Sequence, residues 1–80
     1  MVDRTEIIVT KAQKYRYILF EVVMSSNDTV TIADLTTITD VALINLADGL
    51  EDTATISGNI ITLTEAGVTN THFVGIVVGG

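Results

Sequence analysis

The stretch TATISGNIITLT, residues Thr53–Thr64, constrains the fold more than any other part of the chain. Polar and apolar residues alternate on both sides of Gly58-Asn59, and Gly at the first position of a two-residue turn is typical of a type II′ hairpin. Such a turn pairs Ser57 with Ile60, Ile56 with Ile61, Thr55 with Thr62, Ala54 with Leu63, and Thr53 with Thr64. One face then carries the apolar side chains Ala54, Ile56, Ile61 and Leu63, and the other carries four threonines. Because a slip of one residue would mix the two faces, the pattern predicts this register.

Several other segments are rich in Val, Ile and Thr, which favour strands. Together with the hairpin they make seven candidate strands: Thr5–Thr10, Tyr15–Met24, Thr29–Ile32, Ile38–Leu46, Thr53–Ser57, Ile60–Thr64 and Thr71–Val78. Turn-forming residues separate them. We therefore predict one all-β domain over residues 1–80, a small antiparallel β-sandwich or barrel of about six to seven short strands.

Two parts of this prediction stay open. Around Asp48-Gly49, a two-residue loop and a three-residue loop give equally reasonable apolar faces. The first third of the chain also fits a helix, with the apolar face Ile8, Ala12, Tyr15, Leu19 and Val22 and a capping pair Asp3 and Glu6. The β-branched runs IIV and EVV favour strands there instead.

The last strand is apolar on both faces, which a strand with one solvent-facing side is not. A chain of 80 residues with 48% apolar residues and no Cys has few ways to stabilise a small core other than association. We therefore expect one face of this strand, or its neighbourhood, to pack against another subunit. The candidate core or interface anchors are Tyr15, Tyr17, Phe20, Phe73, Val74, Ile76 and Val78; aromatic residues frequently anchor interfaces.

Charge is distributed unevenly along the chain. The net charge is −6, yet all four basic residues lie in the first 16 positions: Arg4, Lys11, Lys14 and Arg16. The acidic remainder argues against nucleic-acid binding, which needs clustered basic residues. Residues 1–16 form a basic N-terminal segment with two readings: a solvated strand edge that its charges protect from aggregation, or a docking arm that binds an acidic surface. No apolar run is long enough to span a membrane, and the N-terminus does not have the pattern of a secretory signal.

The chain offers few residues for chemistry. Ser25, Ser26 and Ser57 lie in turns without a nucleophile-elbow pattern. His72, at the start of the last strand, is expected to be structural rather than a general base. A single His also argues against a zinc site. The acidic loop residues Asp48, Glu51 and Asp52 could ligate Ca²⁺ but are read as a solvated turn. We therefore expect no catalytic or metal-binding residues, no cofactor, no small-molecule substrate and no enzymatic activity.

The C-terminal sequence VVGG resembles the tail of the small sulfur-carrier proteins of the ubiquitin-like β-grasp family. The resemblance covers only Gly79 and Gly80. It implies a fold with a substantial helix after the first hairpin and adenylation of the terminal Gly. The corresponding region, IADLTTITDVALINL, carries no helix-starting motif.

A wider resemblance covers the chain from about Thr5 to its end. SSNDTVTI, LTTITDV and TISGNIITLT resemble the way in which small Thr-rich structural proteins of tailed phages and archaeal viruses join short strands. The resemblance implies a virion component, made in the host cytoplasm: a capsid decoration or turret protein that assembles with itself and docks on a major capsid or other virion protein. The alternatives are the sulfur carrier and a small monomeric binding module.

Overall fold

The computed structural model describes residues 3–12 and 17–80, with only the backbone at residues 10–12. These residues form nine strands and no helix: β1 (Asp3–Arg4), β2 (Ile7–Ala12), β3 (Tyr17–Met24), β4 (Thr29–Thr31), β5 (Ile38–Asn45), β6 (Glu51–Asp52), β7 (Ala54–Ser57), β8 (Ile60–Leu63) and β9 (Thr71–Gly79). The predicted all-β class and the sandwich arrangement are confirmed. The number of strands differs from the predicted six or seven because the two-residue strands β1 and β6 are too short to leave a pattern in the sequence.

The strands form two sheets. The smaller sheet has the order β1-β4-β8-β7 and the larger one the order β2-β3-β9-β5-β6. All described pairs are antiparallel except β1 with β4, which is parallel. The chain crosses between the sheets after β1, β3, β4, β6 and β8; the shortest crossings, at Thr5-Glu6 and at Thr53, separate β1 from β2 and β6 from β7.

The hairpin of β7 and β8 has the predicted register throughout. Cross-strand partners run from Ser57 with Ile60 to Ala54 with Leu63, and the Thr64 N–H donates to the Thr53 carbonyl at 2.9 Å. Gly58 has a φ of +61° while Asn59 keeps a negative φ, as the first and second positions of a type II′ turn require. The apolar face of the hairpin is turned towards the core and the threonine face towards solvent.

The structure resolves both open parts of the sequence prediction. The first third of the chain forms strands β2 and β3, paired from Ile7 with Glu21 to Ala12 with Tyr17, so the helix is wrong for the described residues. At the Asp48-Gly49 turn, neither proposed loop length is correct. The Asn45 N–H donates to the Leu50 carbonyl at 2.8 Å, which leaves a loop of the four residues 46–49.

One core lies between the two sheets. It consists of Ile18, Phe20, Val22, Met24, Val30, Ile32, Leu35, Ile38, Leu43, Ile61, Leu63, Phe73 and Val77. Alternate residues of β3, from Ile18 to Met24, enter it, which is what the two-residue side-chain period of a strand requires. The other side of the larger sheet is consequently turned away from the core.

Candidate functional site

The side of the larger sheet that faces away from the core is the candidate functional site, and we call it the outer face. Its strand register sets side chains in four cross-strand rows. The rows are Tyr17, Val78 and Asp40; Leu19, Ile76 and Ala42; Ile7, Glu21, Val74, Ile44 and Glu51; and Val23 with His72. Most of these side chains are apolar, which is unusual for the solvent side of an antiparallel sheet, where polar residues are expected.

The outer face is exposed to solvent in the single chain. Ile76 and Val78 are 44% and 43% exposed, Tyr17 is 37% exposed, and Ile7 on the edge strand is 66% exposed. Val74 is half-buried, as are the flanking Leu19 and Ile44. Scattered exposed apolar residues are ordinary on protein surfaces, but a contiguous apolar sheet face marks an interaction site.

Four ionisable side chains lie on the outer face within the described residues: Glu21, Asp40, His72 and, opposite Ile44 on β6, Glu51; all four are exposed. Glu21 stands between Ile7 and Val74 in the middle of the face, whereas Asp40 and His72 lie near opposite ends of it. A partner that covers the face therefore has to bury mainly apolar surface and has to offer a hydrogen-bond donor to the central carboxylate of Glu21.

The outer face contains a depression of about 240 Å³ at its β2 side. Its lining includes Ile7, Glu21, Val23 and His72 from the face itself, with Arg4 and Thr5 forming the wall where the chain crosses between sheets. This volume exceeds the roughly 150 Å³ of an apolar cavity that accepts a benzene ring. The depression can therefore receive a large side chain from a partner.

The predicted interface anchors separate into two groups. Tyr17, Val74, Ile76 and Val78 lie on the outer face, from which a partner can reach them. Phe20 and Phe73 are completely buried in the core. For these two, the interface prediction is wrong and their role is to fill the space between the sheets. Tyr15 lies outside the described residues.

The predicted docking arm is part of the sandwich wherever the structure describes it. β1 pairs with β4 and β2 pairs with β3, with Lys11 at the backbone position opposite Ile18. The Arg4 side chain forms an ion pair with Asp28, with 2.7 Å between Nε and Oδ2. Arg4 Nη2 also donates to Asn70 Oδ1 at 3.1 Å. The Arg4 guanidinium is thus engaged within the chain, while Lys14 and Arg16 lie outside the described residues.

The acidic loop has no geometry for a metal ion. Asp48 Oδ1 accepts a hydrogen bond from the Leu50 N–H at 2.9 Å, and Asp52 Oδ2 accepts one from Asn45 Nδ2 at 3.0 Å. Glu51 is exposed. Across the described ranges no three acidic or His side chains are grouped closely enough to hold a metal ion.

The described residues also contain no helix that is long and apolar enough to cross a membrane.

The C-terminal glycines are held by the backbone. Gly79 pairs with Ile38 in the larger sheet. The Gly80 carbonyl accepts hydrogen bonds from the N–H groups of Thr36 and Thr37, and the Gly80 N–H donates to the Thr37 carbonyl. The helix of the β-grasp fold does not occur in the described residues. The geometry therefore does not favour the sulfur-carrier alternative.

Sequence reasoning found Tyr17 and the β9 part of the outer face and missed the rest. Leu19, Ala42 and Ile44 belong to the same surface. The signal was present, because β3 and β5 also carry apolar residues at both parities, as β9 does. No family model, curated protein or solved structure matches the chain, so its function has to be argued from this surface.

Proposed function

We propose that this chain is a non-enzymatic structural subunit that functions by self-assembly through the outer face. The observation that carries the proposal is the apolar row Leu19, Ile76 and Ala42 with the flanking Val74 and Val78, in which Ile76 and Val78 are exposed and the other three side chains are half-buried. Such a surface is unfavourable in water and favourable once a partner covers it, since burial of apolar area contributes about 25 cal/mol per Å².

The size of the outer face supports a second copy as the partner. Five strands about 4.8 Å apart, with four residue rows along the central strands β3 and β9 and fewer on the others, make a surface roughly 20 Å on a side between side-chain centres. With the width of the side chains included, each copy offers roughly 600 Å². Two copies packed face to face would bury roughly 1,200 Å², which is at the lower end of stable protein interfaces.

The setting that we propose is a virus particle, where the assembled subunit decorates or projects from the shell by docking on a larger capsid protein. This part rests on the resemblance of the turns and Thr-rich strands to small virion proteins. The acidic net charge of −6 is compatible with a place on the outside of a shell, away from packaged nucleic acid. In this setting we expect capsid or tail genes beside the gene for this chain.

Light scattering coupled to size-exclusion chromatography tests the self-assembly. The wild-type chain is expected to elute as a dimer or larger oligomer at micromolar concentration. Ile76→Lys places a charge in the centre of the outer face and is expected to shift the chain to a monomer. The matched control is Thr55→Lys, which adds the same charge to the exposed threonine face of the smaller sheet and is expected to leave the mass unchanged.

Circular dichroism of both variants establishes that each remains folded, because neither substituted side chain contributes to the core. A monodisperse wild-type monomer at about 100 μM would contradict self-assembly, since an interface of this size is expected to hold at that concentration. That outcome would favour the alternative of a monomeric binding module that uses the same face for another protein.

A further inference from the structure

We infer that the two copies pack with a two-fold axis that crosses their strands, so that Tyr17 of each copy enters the depression beside Val23 of the other. The inference rests on the proposed self-assembly and specifies its geometry. It combines two features of the outer face: one exposed aromatic residue at one end of β3, and one depression at the other end of the same strand.

Symmetry restricts how two identical faces can meet. In a two-fold dimer each contact occurs twice, residue i on j and j on i. Face-packed sheets keep their strand directions within about 30° of each other. The axis between them then lies either across the strands or along them.

An axis across the strands, at the level of Phe20, exchanges the two ends of β3. Tyr17 of one copy then lies over Val23 of the other, because Phe20 is midway between them. An axis along β9 instead exchanges β3 with β5, so that Tyr17 meets Asp40 in the same row and the depression receives no aromatic side chain.

The central carboxylate also distinguishes the two arrangements. An axis along β9 brings Glu21 of one copy over Ile44 of the other, which buries a carboxylate against an apolar side chain without a donor. An axis across the strands places Glu21 over Leu19 of the partner copy, but it also brings the Tyr17 hydroxyl of that copy into the depression that Glu21 lines. A buried carboxylate that accepts a hydrogen bond from a hydroxyl is much less unfavourable than one that has no partner.

In this arrangement Tyr17 fills a depression of the partner copy, as aromatic residues do in many protein interfaces. Aromatic residues that fill a partner's pocket frequently carry much of the binding energy. Tyr17 buries its ring and retains a polar tip that needs a partner when it is buried. The depression offers the apolar contacts of Ile7 and Val23 for the ring, and Glu21 and His72 for the hydroxyl.

Isotope-filtered NOE spectroscopy on a mixture of labelled and unlabelled chains tests the arrangement, because it records contacts between copies alone. We expect an NOE between the Tyr17 ring and the Val23 methyl groups. Within one chain these residues are six positions apart on a strand, about 20 Å, so this NOE can arise only between copies. An NOE from the Tyr17 ring to Ala42 beside Asp40 would overturn the inference in favour of the axis along β9.

Two substitutions of Tyr17 give a second measurement by analytical ultracentrifugation. Tyr17→Ala is expected to weaken dimerisation about 10- to 100-fold, since it empties both depressions of the dimer. Tyr17→Phe keeps the ring and removes only the hydroxyl, so it is expected to cause a smaller loss. Unchanged dimerisation of Tyr17→Ala would overturn the inference while the proposed self-assembly stood, whereas a monomeric wild type would overturn both.

Discussion

Phe20 on β3 and Gly75 on β9 are direct cross-strand partners, and the Phe20 ring occupies the space that a β-carbon on Gly75 would need. Three ring carbons lie within 3.0 Å of that position. The far end of the ring therefore lies against Gly75, and the side chain remains completely buried. A glycine in the interior of a central strand is unfavourable for strand formation, and here the packing of the largest core residue requires it.

Gly75→Ala is therefore expected to destabilise the protein by about 1–3 kcal/mol, the usual cost of forcing extra atoms into a packed core. Urea denaturation followed by circular dichroism measures the change in the free energy of unfolding. Gly80→Ala is the matched control, because a β-carbon there meets no atom within 4 Å. Equal stability of both variants would show that the ring moves aside without cost.

Removal of the Arg4 guanidinium is expected to destabilise the fold. Asp28 is 3% exposed and accepts hydrogen bonds from Arg4 Nε at 2.7 Å and from the Ser25 N–H at 2.9 Å. Because solvent reaches part of Arg4, we expect Arg4→Met to cost about 1–3 kcal/mol, less than the loss of a fully buried partner. A double-mutant cycle with Asp28→Asn should give a coupling of at least about 0.5 kcal/mol. Additive effects of the two substitutions would contradict the ion pair. Weakened assembly of Arg4→Met with unchanged stability would instead support a docking role for Arg4.

Asn59 joins the hairpin turn to the segment after β4. Its Nδ2 donates to the carbonyl oxygens of Ile32 and Leu35, at 3.3 Å and 3.1 Å. Asn59→Asp replaces this donor with a carboxylate that faces two acceptors, so we expect a loss of about 1–3 kcal/mol in the free energy of unfolding at neutral pH. The same change at the exposed Asn27, which lies in another turn, is the control and is expected to be close to neutral. An equal loss of stability at both sites would mean that the two hydrogen bonds donated by Asn59 do not contribute to the free energy of unfolding.

Deletion of Gly80 separates a structural C-terminus from a carrier tail. The residue makes three backbone hydrogen bonds with Thr36 and Thr37, at 2.7, 3.0 and 2.9 Å. Their loss is expected to lower the free energy of unfolding by about 1–3 kcal/mol and to increase amide exchange at Thr36 and Thr37. Gly80→Ala keeps these bonds and is expected to change neither. A sulfur carrier would instead tolerate the deletion without loss of stability.

Local features of the chain were predictable because neighbouring residues determine them. The register of β7 and β8 follows from a turn that needs a positive φ at Gly58 and from an alternation that a slip would destroy. The four-residue loop after Asn45 was not predictable in the same way. It depends on Asn45 itself, whose carbonyl accepts from the Gly49 N–H at 2.7 Å and whose Oδ1 accepts from the Ala47 N–H at 2.8 Å. Apolar patterning contains no information about such bonds.

By itself, then, the sequence determined an all-β domain, the hairpin around Gly58-Asn59 and a last strand with too many apolar residues for one buried face. Only the tertiary structure decided which apolar residues fill the core and which remain outside. Phe73 and Val74 are adjacent and similar in character, yet Phe73 is fully buried and Val74 lies on the outer face. The physical reason is that a strand turns successive side chains to opposite sides, and which side becomes the interior depends on the sheet that packs against it.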